Sequence, residues 1–259
     1  MSSPLAAQVA HLGRRSVLRT LRQPISVVPS LFFPLLLLAV NVAGLDRATL
    51  LPGFPTDSYL DFALAFTFMQ GALFATINAG TDLGRDIETG FLNRLALTPM
   101  RGIALVAGQL AGVVVLGLLQ ATVFLSVGTI SGAGIEAGAG GVAVIFGLCL
   151  LIAVGFGALG AVMALRTGSA ETVQGLFPVL FALLFLSSMN LPRHLIEIDW
   201  FREVASYNPV SYLIEAIRSL VVEGWNGEAL GLGFAVAGGI AVLALAAAAA
   251  SLRGRLVRT

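Results

Sequence analysis

The densest group of charged side chains lies between residues 81 and 101, and its pattern suits the binding of another protein. It contains three acids and three arginines: Asp82, Asp86, Glu88, Arg85, Arg94 and Arg101. Apolar residues recur there at four-residue steps, at Leu83, Ile87, Phe91 and Leu95. This spacing predicts a short amphipathic helix that Pro99 ends. Balanced charge favours a protein partner over anionic lipid, which calls for a basic excess.

A second group of functional candidates lies between residues 190 and 228. Asn208 can cap a helix whose first turn begins at Pro209. The apolar stripe of this helix consists of Val210, Leu213, Ile214, Ile217, Leu220 and Val221, while Ser211, Glu215, Arg218 and Glu223 lie elsewhere on it. The pattern predicts an amphipathic helix at, or dipping into, a membrane interface. Trp200, Tyr207 and Tyr212 are typical interfacial anchors.

Residues that are absent or rare exclude several kinds of chemistry. All 15 basic residues are arginine, so a phosphate-binding loop and Schiff-base chemistry, which need lysine, are excluded. A single cysteine, Cys149, excludes disulfides within the chain and zinc-ribbon sites. His11 and His194 lie far apart in sequence and on opposite predicted sides of a membrane. We therefore expect neither a metal site nor enzymatic activity on this chain alone.

Composition indicates that a lipid bilayer surrounds the elements that position these groups. The 259 residues are 57% hydrophobic and 11% charged, with a mean hydropathy of +0.93, whereas soluble domains carry about 25% charged residues. Soluble enzymes, disordered chains and nucleic-acid binders are therefore excluded. Six stretches lack Asp, Glu, Arg and His and predict a six-span transmembrane domain over residues 25–252: 25–45, 62–80, 102–130, 139–165, 172–189 and 229–252.

The distribution of arginines predicts the orientation in the membrane. Eleven arginines lie in the N-terminal arm, the second and fourth connections and the tail, against four on the other side. Both termini are therefore expected in the cytoplasm, with the spans in the cell (inner or plasma) membrane. Residues 1–24 are predicted to form a surface helix with Arg15, Arg19 and Arg22 on one face, and 253–259 a cytosolic tail.

The predicted spans hold no ionised side chain, which disfavours ion-coupled transport, since such residues persist at membrane depth only for a task. Their neutral polar residues include Gln70, Asn78, Gln109, Gln120 and Gln174. These amides can hydrogen-bond between helices, which we favour, or line a pathway. Pairs of small residues such as Gly108 and Gly112 favour packing within the chain over a dedicated dimer face.

Two short sequences resemble the motifs of ATP-binding cassette (ABC) transporter type-2 export permeases. The first is DIETGFL at residues 86–92, followed by Arg94-Leu95 and by LTPM at 97–100. The second is NPVSY at residues 208–212, followed by EAIR at 215–218. The surface helix, six spans and both motifs occur in the family's order over essentially the whole chain. The most similar group is the drug-resistance permeases of the daunorubicin-exporter kind.

The resemblance implies an all-α membrane protein with six transmembrane helices, an N-terminal amphipathic interface helix and outer re-entrant helices before the last span. It implies a dimer with a second permease, the same or a related chain. Two copies of a separate cytosolic ABC ATPase would hold ATP and magnesium, so this chain would carry no cofactor.

The resemblance also assigns roles to residues. In the coupling loop 81–101, the residues that couple to the ATPase would be Asp82, Arg85, Asp86, Glu88, Gly90, Phe91, Leu92, Arg94, Leu95 and Pro99. The interface helix would make a second contact with the ATPase through Arg15, Arg19 and Arg22. The outer re-entrant segment would help close the pathway through Asn208, Pro209, Tyr212, Glu215 and Arg218.

The expected function is the membrane subunit of an ATP-driven exporter that moves an amphiphilic drug, lipid or glycoconjugate out of the cytoplasm or inner leaflet. A polysaccharide or glycolipid exporter permease is the alternative within the same family. An ion-coupled secondary carrier and a membrane scaffold without transport are alternatives from other classes. An ATPase that co-purifies with the chain would discriminate against both.

Overall fold

The computed structural model describes residues 5–96 and 102–256. These ranges contain eleven α-helices: α1 Leu5–Leu21, α2 Pro24–Leu45, α3 Tyr59–Glu88, α4 Phe91–Ala96, α5 Gly102–Ile130, α6 Gly138–Thr167, α7 Ala170–Gly175, α8 Phe177–Phe185, α9 Asp199–Tyr207, α10 Pro209–Val222 and α11 Gly227–Leu256. Short 3₁₀ turns occupy Asp46–Leu50 and Arg193–Leu195. The predicted all-helical class is confirmed for the described residues.

Five of the described helices are long and apolar enough to cross a bilayer: α2 with its following 3₁₀ turn, α3, α5, α6 and α11. In α3, 83% of the most apolar 18-residue stretch is buried inside the protein, against 17% of the corresponding stretch of α2. Helix α3 packs against α2, α5, α6, α7, α8 and α10 and is therefore the centre of the bundle. The outward face of α2, with Ile25 and Phe32 exposed, suits contact with lipid or another subunit.

The fifth predicted span, residues 172–189, is not confirmed as a single helix. The segment instead forms α7 and α8, separated at Leu176. Pro178 has no N–H to donate to the carbonyl four residues earlier, and Gly175 is a poor helix former, so the helix breaks here. The whole stretch Ala170–Phe185 would extend only about 24 Å as one straight helix, short of a hydrocarbon core.

The predicted separate coupling helix also differs from the structure. Helix α3 continues without interruption to Glu88, so Asp82, Arg85 and Asp86 lie on the last turns of a spanning helix. The break comes at Gly90, whose φ of +68° is the left-handed conformation that glycine adopts at helix ends. The second part, α4, follows as a short helix. Pro99 lies outside the described residues.

The polar residues gather at the two ends of the bundle. At one end, which we call the arginine-rich end, α1, the last turns of α3, α6 and α11, and the start of α7 meet; for example, Arg255 Nη1 donates to the Leu165 carbonyl at 2.9 Å. At the opposite end, the start of α3 meets α10 and the 131–137 turn, where the Ala137 amide donates to the Leu220 carbonyl at 3.1 Å. The first motif therefore lies at the arginine-rich end, whereas the second begins beside the end of α8 and follows α10 toward the opposite end.

Candidate functional site

Helix α1 packs directly on α5, because two glycines of α5 leave room for it. A Cβ at Gly108 would lie 2.4 Å from Leu12 Cβ, and one at Gly112 would lie 2.5 Å from Ser16 Oγ. The Ser16 hydroxyl also donates to the Gln109 carbonyl at 3.0 Å. The predicted use of this glycine pair for packing within the chain is confirmed, and its partner is the N-terminal helix.

An ion-pair cluster joins α1 to the end of α3 and contains four of the residues singled out from the sequence. Arg15 donates to both carboxylate oxygens of Asp86, at 3.0 and 2.9 Å. Arg19 contacts the same carboxylate at 2.9 Å and also Asp82 at 2.9 Å. The Asp86 side chain is only 11% exposed. The two acids are therefore engaged within the chain, where each satisfies an arginine of α1.

Arg15 connects this cluster to α4 as well. Its guanidinium carbon lies 4.0 Å from the centroid of the Phe91 ring, a cation–π contact. The hydrogen bond to Asp86 raises the pKa of Arg15, against the opposing effect of partial burial. The guanidinium therefore stays charged, and α1, α3 and α4 are held together by it.

The remaining coupling candidates divide into an inward and an outward set. Leu92 is buried at 2% exposure in the core beside Leu83 and Ile87. Arg85 and Arg94 are exposed, as is Arg22 of the N-terminal segment. No atom lies within 4 Å of where a Cβ on Gly90 would stand. Leu95 belongs to α4, but its side chain lies outside the described set.

Glu88 makes a contact that the sequence did not reveal. Its Oε1 accepts from the Ala170 backbone N–H at 2.8 Å, at the start of α7. Ser169 caps the same helix by accepting from the Thr172 N–H at 3.4 Å. The coupling motif is therefore attached to the connection between α6 and α7.

At the start of α10, Asn208 has the predicted capping role and a second one. Its Oδ1 accepts from the Val210 N–H at 2.9 Å, so the predicted cap of the helix beginning at Pro209 is confirmed. Its Nδ2 donates to the carbonyls of Leu183 and Leu186, at 2.6 and 2.9 Å. Asn208 thus joins the end of α8 to the start of α10.

Helix α10 does not lie on the surface as its amphipathic pattern suggests. Its apolar stripe is buried, but so are Ser211 and Arg218, because α10 packs between α3 and α11. Arg218 donates to the carbonyls of Phe62 at 3.1 Å and Met189 at 3.0 Å. Its guanidinium carbon also lies 3.5 Å from the Phe62 ring centroid. A re-entrant position in the membrane remains a prediction.

Glu215 and Tyr212 form a second polar group beside Arg218. The Glu215 carboxylate accepts from Ser188 Oγ at 2.8 Å and pairs with Arg193. Burial lowers the pKa of Arg193, but the Glu215 carboxylate and Tyr212 together more than compensate, so the pKa is raised. Tyr212 stacks under Arg193 and its hydroxyl donates to the Ser206 carbonyl at 2.8 Å. Tyr212 therefore has partners within the protein, whereas Trp200 and Tyr207 are exposed.

Three of the amides within the predicted spans hydrogen-bond to neighbouring helices. Gln109 donates to the Ala79 carbonyl at 3.3 Å, Gln120 to Ser30 at 3.3 Å and Asn78 to Ser26 at 3.4 Å. Gln70 is buried and neither of its amide atoms has a partner within the described residues. Gln174 is exposed on α7. Pathway lining by these residues stays a prediction.

Three features were missed from the sequence, and two of them had a signal. Ser169, three residues before Thr172, is a typical N-cap and could have predicted the start of α7. Helix α9 begins with Asp199, also a helix-start signal. The pairing of Glu88 with Ala170 joins residues 82 positions apart and has no local signature.

Comparison with known proteins agrees with this architecture. The chain is 27% identical over 225 residues to the daunorubicin resistance ABC transporter permease protein DrrB1 of Streptomyces coeruleorubidus, covering 85% of this chain and 76% of that protein. It is 27% identical over 215 residues to the putative transport permease ycf38 of Cyanophora paradoxa, covering 81% and 72%. The corresponding Porphyra purpurea protein is 26% identical over 232 residues, covering 87% and 78%.

The strongest evidence for the family is a match that extends over most of the molecule. The family model described as ABC-2 type transporter matches residues 7–222, which include most of α1, both motifs and the helices between them. The chain therefore belongs to the ABC-2 type transporter family and is a transport permease, the membrane subunit of an ABC transporter.

Proposed function

We propose that this permease exports an amphiphilic drug, lipid or glycoconjugate, powered by two copies of a separate ATPase that bind its arginine-rich end. A second permease, the same or a related chain, completes the pathway. The arginine-rich end faces the cytoplasm, because arginines concentrate there and such residues are retained on the cytoplasmic side. ATP binding draws the two ATPases together and moves the two coupling loops with them.

The observation that carries this proposal is the exposed helix–turn–helix formed by the end of α3, Gly90 and α4. Its inner side is fixed by buried Leu92 and by Arg15 over Phe91. Its outer side presents Arg85 and Arg94, which are exposed. A helix pair that packs on the protein through one side and presents charged residues on the other suits a cleft on a soluble partner.

The substrate class is inferred from the charges of the spanning helices. In α2, α3, α5, α6 and α11 the ionised side chains lie near the helix ends, and the middle of each helix is apolar or carries neutral amides and hydroxyls. Along the middle of these five helices, an ion or sugar phosphate would find no opposite charge. An amphiphile needs none, because its apolar part resembles lipid.

Reconstitution of the purified permease with its ATPase in proteoliposomes tests the proposal. We expect ATP-dependent movement of a fluorescent amphiphile, lost when the ATPase carries a substitution that prevents hydrolysis. Arg94→Glu should reduce co-purification of the ATPase and transport, because it reverses the charge at the docking surface. Arg47→Glu, an exposed arginine at the opposite end, is the matched control and should behave as wild type.

Two results would overturn the proposal. Transport that needs no ATPase and stops with a protonophore would indicate a secondary carrier. An ATPase that binds equally to the wild type and to Arg94→Glu would place the docking surface elsewhere.

A further inference from the structure

The broken helix pair α7–α8 is held at each end by a side chain from one of the two motifs. Glu88 of the first motif accepts from Ala170 at the start of α7. Asn208 of the second motif donates to two carbonyls at the end of α8. The pair is thereby a direct physical connection between the end of α3 and the start of α10.

At the arginine-rich end, α7 is seated closely on α3. A Cβ at Gly84 would lie 2.7 Å from the Ala170 backbone nitrogen, and one at Gly80 would lie 2.7 Å from Val173 Cγ1. Gly80, Gly84 and Glu88 are spaced by four residues and share one face of α3. Val173 is fully buried against that face. A movement of the end of α3 must therefore carry α7 with it or break these contacts.

The pair can change its angle at the break around Leu176. Pro178 removes one helical hydrogen bond there, whereas α8 resumes with the amides of Val179 and Leu180 donating to the Leu176 carbonyl, at 3.1 and 3.2 Å. Beyond the break, Val179 and Phe185 are exposed on the outer face of α8. This exposed face leaves room for a change of angle, whereas the opposite face of α8 packs Phe177 against Phe74 and Phe181 against Phe33.

At the end of α8, the Asn208 side chain forms hydrogen bonds through both its N–H groups and its amide oxygen. The two Nδ2 donors bind α8 while Oδ1 caps α10. Since a single planar amide makes these bonds, the end of α8 and the start of α10 are constrained to move together. Arg218 and Glu215, farther along α10, bond to Met189 and Ser188, which follow α8.

We infer that α7 and α8 relay a displacement of the coupling loop to α10, with Glu88 and Asn208 as the positioning residues at the two ends of this relay. The inference rests on the proposed function. Glu88 in this account acts through α7 rather than by contact with the ATPase. When either connection is lost, the ATPase still hydrolyses ATP, but hydrolysis is uncoupled from transport.

Substitutions at the two ends test the relay. Glu88→Ala removes the acceptor, Glu88→Gln keeps an amide oxygen in its place, and Asn208→Asp keeps the cap but removes both donors. We expect Glu88→Ala and Asn208→Asp to lower transport about tenfold, with unstimulated ATPase activity and ATPase co-purification near wild type. Glu88→Gln should retain most transport, because the Ala170 N–H keeps an acceptor.

The matched control is Glu171→Ala, which removes an exposed carboxylate from the same short helix. It should transport as the wild type does. Asn208→Ser retains a capping hydroxyl without the two donors, and it replaces Asn208→Asp should that variant be unstable by thermal unfolding.

A distance measurement detects the movement of α8 directly. Spin labels at Val179→Cys on α8 and Leu243→Cys on α11, both exposed, are placed in a Cys149→Ala background and diluted with unlabelled permease. With a hydrolysis-deficient ATPase, ATP should change this distance in the wild type and in Glu171→Ala, but not in Glu88→Ala.

The outcomes separate this inference from the proposed function. Absence of ATP-dependent transport in the wild type would overturn the proposed function. Normal transport in Glu88→Ala and in the Asn208 variants, or an α8 distance that ATP does not change while transport proceeds, would overturn the relay alone.

Discussion

The two ends of the bundle both depend on arginine, but they use it in different ways. At the arginine-rich end, Arg15 and Arg19 are partly exposed and pair with the carboxylates of Asp86 and Asp82. At the opposite end, Arg218 is buried and donates to backbone carbonyls of two other segments. In the first arrangement water reaches part of each arginine side chain, whereas the second fixes the backbone.

This difference indicates which end can rearrange. An ion pair near water contributes about 0–1 kcal/mol, and its groups are readily hydrated when they separate. A buried guanidinium has no such alternative, so breaking its hydrogen bonds costs the full desolvation of the groups involved. We expect contacts of α1 with α3 to be adjustable and those of α10 with the start of α3 to be permanent.

The largest effect is predicted for Arg218→Leu. The substitution leaves the Met189 carbonyl without this donor and removes the cation from the Phe62 ring, so the free energy of unfolding should fall by about 3 kcal/mol. Thermal and denaturant unfolding of the purified permease in detergent measure it. Arg202→Leu, an exposed arginine at the same end, should change stability little. An equal effect of both would remove the distinction between the ends.

An intermediate effect is predicted for Asp86→Asn. The change removes the shared carboxylate of Arg15 and Arg19, and we expect a loss of about 1–2 kcal/mol because the Asp86 side chain is mostly buried. The same unfolding assay applies, with Asp46→Asn as a control at an exposed acid. A loss larger than that of Arg218→Leu would contradict the proposed order of the two ends.

The smallest effect is predicted for salt. Raising the ionic strength from low to about 0.5 M should weaken the α1–α3 pairs by about 0.5 kcal/mol, since exposed pairs are screened. The shift in unfolding temperature should be present in the wild type and reduced in Asp86→Asn. Persistence of the full shift in that variant would show that other charges produce it.

Local signals in the sequence predicted the elements that depend on neighbouring residues. The cap at Asn208 and the helix from Pro209 required only adjacent residues, and the structure contains them. The charge-free stretches also predicted the five long apolar helices. The break at Leu176 was missed because a count of apolar residues does not register that Pro178 lacks a donor.

The candidate site was predictable only in part, because its contacts join distant residues. Asp86 and Arg15 are both prominent in the sequence, yet they are 71 positions apart and nothing local indicates that they pair. Arg218 lies on an amphipathic pattern typical of a surface helix, so its burial required knowledge of α3 and α11 on either side. These contacts are determined by the packing between helices rather than by the sequence of any one helix.

The packing of α1 against Gly108 and Gly112 of α5 implies an order in which the helices assemble during biosynthesis. Ser16 bonds to a carbonyl 93 positions later, so the N-terminal helix leaves the ribosome long before its groove exists. The partners of Arg15 and Arg19 come earlier, since Asp82 and Asp86 lie at the end of α3, before α5 in the chain. Final docking of α1 then marks a late stage of maturation, when the first half of the permease has been assembled.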